Sequence, residues 1–199
     1  MLLAAPVSAD AAGANSAEFV VSENGKLLNV TAHLVQQSTF TLVKPGFFQD
    51  EALTPKNFSL TDANGTAVEY KVSKSTVSFP KGDYTLSYTQ EISDSTVYAK
   101  FPVAYSAKVY LPAKFRTGHP VLGTVSAGGV ISGSDKEGFG TMVTYANTKT
   151  VDVKFYEQGR DMWLYGFLGV WGVVLLIVYG RYRMYRKRSL KAGLRDKYK

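Results

Sequence analysis

The chain contains no cysteine and only two histidines, His33 and His119, in 199 residues. Without cysteine it is not a disulfide scaffold, and its fold must rest on an apolar core. Without cysteine or clustered histidine it has no ligand set for zinc. Helical periodicity is missing before residue 162, and no glycine-rich loop leads from a strand into a helix, so no nucleotide site is indicated. Charge of one sign is also missing from most of the chain. The formal net charge is +7, yet residues 181–199 hold nine Lys or Arg against one acid, Asp196, while residues 1–180 hold 14 basic and 15 acidic side chains. The basic balance belongs to the end of the chain, and nucleic-acid binding is not expected from it.

What is present between Glu18 and Glu157 is a period of two. Leu28, Val30, Ala32 and Leu34 alternate with polar residues, as do Phe40 and Leu42, Val68, Tyr70 and Val72, Tyr84, Leu86 and Tyr88, Val109 and Leu111, and Val151, Val153 and Phe155. Segments with one apolar and one polar face predict antiparallel strands, each with one side on a core. Turn chemistry separates them at Asn24-Gly25, Asn64-Gly65, Lys81-Gly82-Asp83 and Gly128-Gly129. The spacing predicts an all-β domain over 18–159, an antiparallel β-sandwich of immunoglobulin or fibronectin-III type. Both tryptophans lie beyond it, so the disulfide-and-Trp core of true immunoglobulin domains is absent. Residues 113–157 either complete that sandwich, the preferred reading, or form a second small β-unit.

Met162 to Tyr179 reads MWLYGFLGVWGVVLLIVY and carries no charge. With Gly180 it would make about 28 Å of helix, close to the ~30 Å of a bilayer's hydrocarbon core. Trp163 and Tyr165 at one end and Tyr179, Tyr182 and Tyr185 at the other match interfacial aromatic belts. A transmembrane helix is therefore expected over 160–180. Arg181, Arg183, Arg186, Lys187 and Arg188 follow it, so the positive-inside rule puts 181–199 in the cytoplasm and the β-domain outside the cell membrane. The same five residues are candidates for contact with anionic lipid. Gly166, Gly169 and Gly172 form a small-residue stripe where another helix can approach, although the spacing is not GxxxG.

An exported domain needs a signal, and MLLAAPVSAD resembles the end of one, with Val7-Ser8-Ala9 as a small-residue cleavage pattern. Residues 1–9 are read as a signal remnant and 10–17 as a flexible lead-in, against the alternative of a plain disordered N-terminus. Asn29, Asn57 and Asn64 stand in N-x-S/T sequons and are candidate glycosylation sites, Asn64 in a turn being the best placed. Phe47 and Phe48 follow Pro45-Gly46 outside the alternation; they either form a protein contact surface or fold back as a cap on the sandwich.

Catalytic partners do not assemble. His33 sits on a polar strand face and His119 in a Gly-His-Pro turn, and Ser126 is one residue out of place for a G-x-S-x-G elbow. Asp135 and Glu137 lack the rest of an EF-hand loop, and Asp50 and Glu51 are neighbours that point apart in extended chain. No enzyme activity, metal or cofactor is expected.

Phe79 to Tyr88 (FPKGDYTLSY), Val109-Tyr110-Leu111-Pro112, Pro120-Val121-Leu122-Gly123 and Val153-Lys154-Phe155-Tyr156 before the Trp-bearing helix resemble a family of uncharacterised euryarchaeal membrane-anchored proteins, over residues 60–180. The resemblance implies an archaeal envelope and the same layout of outer β-domain and inner tail, and carries no activity. The expected function is a non-enzymatic surface binding or structural module. The alternative is an accessory subunit of a membrane complex, with lipid and a protein, itself or other subunits, as partners.

Overall fold

The computed structural model describes residues 14–46 and 49–195, with side chains up to Tyr185. It divides into a β-unit ending at Glu157 and a helical unit from Gln158 onward. The strands are β1 (Ser16–Val21), β2 (Leu27–Thr41), β3 (Val43–Lys44), β4 (Glu51–Ala52), β5 (Lys56–Thr61), β6 (Lys71–Ser73), β7 (Thr76–Glu91), β8 (Thr96–Pro112), β9 (Phe115–Arg116), β10 (Gly129–Gly133), β11 (Phe139–Lys154) and β12 (Tyr156–Glu157), followed by the helix α1 (Arg160–Arg195).

Eight strands share one sheet in the order β10-β11-β8-β1-β2-β7-β5, with β6 also on β7; β9 pairs with β12 and β3 with β4. The sheet is mixed, whereas alternation predicted antiparallel pairing throughout. β1 runs parallel to β8, from Ser16 opposite Ser106 to Val20 opposite Tyr110, and antiparallel to β2 on its other side. Strand formation begins at Ser16, inside the predicted lead-in, because Ala17, Phe19 and Val21 all point into the core. Residues 1–13 lie outside the described residues. Of the stretch 113–157, β10 and β11 extend the main sheet.

Side chains line up across the sheet. One buried row is Leu60, Leu86, Ala32, Ala17, Ala107 and Tyr145. The next is Tyr88, Val30, Phe19, Val109 and Val143, reaching Ile131 on β10. The opposite face carries Ser59, Ser87, Thr31, Glu18, Lys108 and Thr144, as a half-solvated sheet requires.

The expected turn at Lys81-Gly82-Asp83 is instead a bulge inside β7. Pro80 has no N–H to give the ladder. The register passes from Leu34–Tyr84 through Gln37–Gly82 to Thr39–Ser78, and Gln36, with φ of 53°, is the extra residue on β2. The Asp83 carboxylate accepts the Gln36 backbone N–H at 2.8 Å, so the displaced donor is satisfied. A similar break separates Thr148–Tyr105 from Thr150–Lys100 in β11 and β8, where Pro102 lies in the extra stretch. These bulges explain strands of 15 to 17 residues where turn spacing predicted short ones. A bulge bends the strand that carries it, and these strands run on past their bulges. There Phe40 from β2 meets Phe101 and Tyr105 from β8, with ring centroids 6.2 and 6.5 Å apart. Val68 to Val72 is likewise not one strand: only Lys71–Ser73 pairs, as β6.

Asn24-Gly25 makes its predicted hairpin turn. Gly25 has φ of +72°, and a Cβ there would meet the Phe115 ring at 2.5 Å, so both backbone and packing require glycine.

Candidate membrane segment and contact surfaces

α1 is 36 residues long and continues unbroken through Gly180 to Arg195, past the expected end of the spanning segment. Its backbone spans about 54 Å at ~1.5 Å per residue. Within Arg160–Tyr185 an 18-residue window has a mean hydropathy of 2.0, and none of that window is buried. This is a helix long and apolar enough to cross a membrane. From Met162 to Tyr179 every turn is apolar and no side carries a charge.

Within the helical unit, the site where a Cβ would project from Gly166, Gly169 or Gly172 has no atom within 4 Å. Gly166 and Gly172 point about 60° to either side of Gly169 at ~100° per residue. Trp163, Phe167 and Trp171, at i, i+4 and i+8, make a ridge on roughly the other side, and Phe167 meets Trp171 edge-on at 6.1 Å. Gly166 alone of the three glycines joins the floor of an open groove walled by Met162, Trp163, Phe167, Val170 and Trp171. Arg181 and Arg183 lie on the continuing helix. Arg186, Lys187 and Arg188 share its helical backbone, but their side chains fall outside the described residues, as do Phe47 and Phe48.

On the β-unit the sequons are exposed at three unlike places. Asn29 lies on the polar sheet face, where its Oδ1 accepts the Thr89 hydroxyl at 3.0 Å. Asn57 has φ of 51° and sits where the β5 ladder is interrupted. Asn64 stands in a turn whose backbone N–H groups, at Asn64 and Thr66, are held by the Asp62 carboxylate at 2.9 and 2.8 Å. The histidines are engaged in local bonds. His33 Nδ1 pairs with the Thr85 hydroxyl at 3.2 Å, and His119 Nδ1 accepts the backbone N–H groups of Val121 and Leu122. Among the described residues no group of three or more His, Asp or Glu is placed to hold a metal.

Two polar clusters that sequence reading missed fix loops in place. Ser126 Oγ and Tyr145 Oη lie 2.9 Å apart, and Ser126 Oγ accepts the Asp152 backbone N–H at 3.2 Å. With the Ser126 N–H donated to the Asp152 carbonyl at 2.9 Å, this pins 124–126 alongside β11. Burial pushes the Asp152 carboxyl and the Tyr145 phenol above their ordinary values. Asp50, just after Phe47-Phe48, accepts the Tyr98 hydroxyl at 2.8 Å and Lys100 Nζ at 3.0 Å. The Tyr98 hydrogen bond, then that of Lys100, holds its carboxyl below the usual 3.8. Burial, then the bond to Asp50, pushes the Tyr98 phenol up to about 12.

A depressed carboxyl stabilises the fold above its unfolded-state pKa, and that contribution is lost as pH falls through the folded value. Asp50→Asn is therefore expected to melt a few degrees lower than the native chain at pH 7, for a pair worth ~1 kcal/mol or less. The gap should narrow as pH falls from 4 to about 3, towards the lowered folded value. Thermal melts at both pH values check this, and a gap unchanged at pH 3 would assign the loss to something other than the carboxylate.

The geometry defines a class: a mostly β domain followed by one helix able to cross a membrane. The chain belongs to a family of unknown function, DUF5803, whose profile matches residues 14–194. The match runs from before β1 almost to the end of α1, so sheet and helix together form the family's unit. No curated protein matches the sequence.

Proposed function

We propose that this chain is a non-enzymatic, membrane-anchored cell-envelope protein whose β-domain stands outside the membrane as a binding or structural module. The observation that carries the reading is α1, apolar on every side from Met162 to Tyr179 with its apolar window uncovered. In water that surface is costly, and in lipid it needs no partner. Nine Lys or Arg in 181–199 against the self-cancelling Arg160 and Asp161 favour a cytoplasmic C-terminus. In this reading the bent halves of the long strands act as the two leaves of a β-sandwich of immunoglobulin type. The N-terminal segment is the remnant of an export signal, the exposed sequons carry glycans, and the setting is a euryarchaeal envelope. Arg181, Arg183, Arg186, Lys187 and Arg188 sit against anionic headgroups.

A second reading, an accessory subunit of a larger membrane complex, is favoured by the open glycine face at Gly166, Gly169 and Gly172. One preparation tests both. Protease added to right-side-out vesicles is expected to digest the β-unit and spare the basic end; protection of the β-unit would reverse the orientation. Mild-detergent extraction and sizing of the same vesicles should give a monomer or dimer for the module, and co-migration with other membrane proteins for the subunit.

A further inference from the structure

We propose that β10 is a docking edge for a second copy of this chain, the two β10 strands pairing antiparallel about Ile131 so that two sheets join into one. The two ends of the sheet are finished differently. At the β5 end, Thr61 bridges to Ala67 and the Val68 N–H reaches the Leu60 carbonyl at 2.9 Å, covering part of the edge. Lys56 of β5 is ion-paired to Glu91 of β7, and the ladder is broken between Lys56 and Ser59. These are the usual protections of a sheet edge. β10 has none of them. The chain carries no charge and no proline from Val121 to Ser134. Among the described residues, Val130–Gly133 make no hydrogen bond beyond the ladder with β11, so the other side of the strand presents free backbone donors and acceptors.

Such an edge accepts an added strand, and three observations identify that strand as another β10. The core row through Phe19, Val109 and Val143 ends on Ile131, which is 45% exposed although it lies on the core side of the sheet. A second Ile131 opposite it continues the row into the second core. The sequence Gly129-Val130-Ile131-Ser132-Gly133 reads nearly the same in both directions. Pairing about Ile131 sets glycine opposite glycine and Val130 opposite Ser132, so that only the central Ile131 pair sets bulk against bulk. The strand's neutrality means that self-pairing brings no like charges face to face, and the nearest acid, Asp135, falls beside Ala127 of the other copy.

The edge is also held ready. Ser126, Tyr145 and Asp152 fix the chain entering β10, and a Cβ on Gly129 would run into Val125 and meet the Tyr145 ring at 2.8 Å, so the strand is seated closely on its neighbours. A five-residue seam buries well under the ~1,000 Å² of a stable soluble interface. Pairing therefore needs copies held close together, which a shared membrane supplies by raising the effective concentration. The inference rests on the anchored reading for that concentration alone.

The absence of cysteine makes the test direct. The full chain carrying Ile131→Cys, reconstituted into phospholipid vesicles and oxidised with copper-phenanthroline, should form a disulfide dimer, because directly opposed antiparallel residues lie within bonding reach. The expected yield is about tenfold or more above that of Lys56→Cys at the far edge. Adding Val130→Lys and Ser132→Lys to the Ile131→Cys chain sets lysine opposite lysine at exposed positions and should return the yield to the Lys56→Cys level. Equal crosslinking at 131 and 56, or crosslinking at 131 that ignores the lysines, overturns the pairing. Vesicle flotation reports the anchor separately. A chain that floats without crosslinking at 131 loses the pairing and keeps the anchor; one that crosslinks at 131 without floating keeps the pairing and loses the anchor.

Discussion

Phe40→Ala is expected to destabilise the β-unit by about 3–5 kcal/mol, lowering its melting temperature by roughly 10 °C or more. Phe40 is 1% exposed and lies on β2 past its bulge, among rings of β7 and β8. Its ring contacts Tyr88, Phe101 and Tyr105, and Phe101 in turn touches Phe19 and stacks on Tyr105 at 4.2 Å. Removing it opens a cavity bounded by β1, β2, β7 and β8, and rings that size cannot collapse into it without leaving their neighbours. Val72→Ala, on exposed β6, is the control and should change stability by no more than about 0.5 kcal/mol. Melts of the purified chain followed by near-ultraviolet circular dichroism decide the matter. Similar losses for both variants would show that the aromatic cluster is not what joins β2 and β7 to β8 at this end.

Removing residues 158–199 is expected to convert the chain from membrane-bound to soluble while leaving the β-unit folded. Ten Leu, Ile, Phe and Val side chains lie between Met162 and Tyr179. At ~0.3–0.6 kcal/mol each they favour insertion by about 3–6 kcal/mol, a partition ratio of roughly 10² to 10⁴. The β-unit has its own core, formed entirely by residues before Gln158, so its folding does not call on the helix. Alkaline carbonate extraction should leave the full chain in the pellet and release the shortened one. A full chain found in the supernatant would mean that α1 is not inserted. A shortened chain that aggregates without a cooperative melt would mean that the β-unit depends on the helix.

The parts of this architecture that were legible in the sequence are those whose physics is local. Leu28 to Leu34, Tyr84 to Tyr88 and Val151 to Val153 alternate because each strand has one wet face, and α1 is legible because no other use is made of so long an uncharged run. The pairing of β1 with β8 left no local trace. Its hydrogen bonds join residues ninety positions apart, Ser16 to Ser106, and nothing in Ser16–Val21 says whether a neighbour will run parallel. Pro80-Lys81-Gly82-Asp83 reads as a turn because a bulge uses the same residues for the same reasons: a missing donor, a permissive backbone and a carboxylate that takes up a stray N–H. Of the candidate surfaces, the glycine stripe was legible from spacing. The β10 edge was not, since Gly128-Gly129 was read only as a turn and two exposed branched residues acquire meaning only once the sheet order is known.

The place of β1 at the centre of the sheet also sets a timetable. Its hairpin with β2 closes through a short loop, from Val21 to Leu28, and can form within about 1–10 μs once both strands exist. Its other side waits for Ser106–Tyr110. At a synthesis rate of ~5–20 residues per second that wait is roughly 5–20 s. During it β1 has one flank unpaired, with Phe19 not yet closed in by Val109. The N-terminal strand is thus early in emergence and late in completion, and the interval between the two is when a neighbouring nascent chain can most readily take the place of β8.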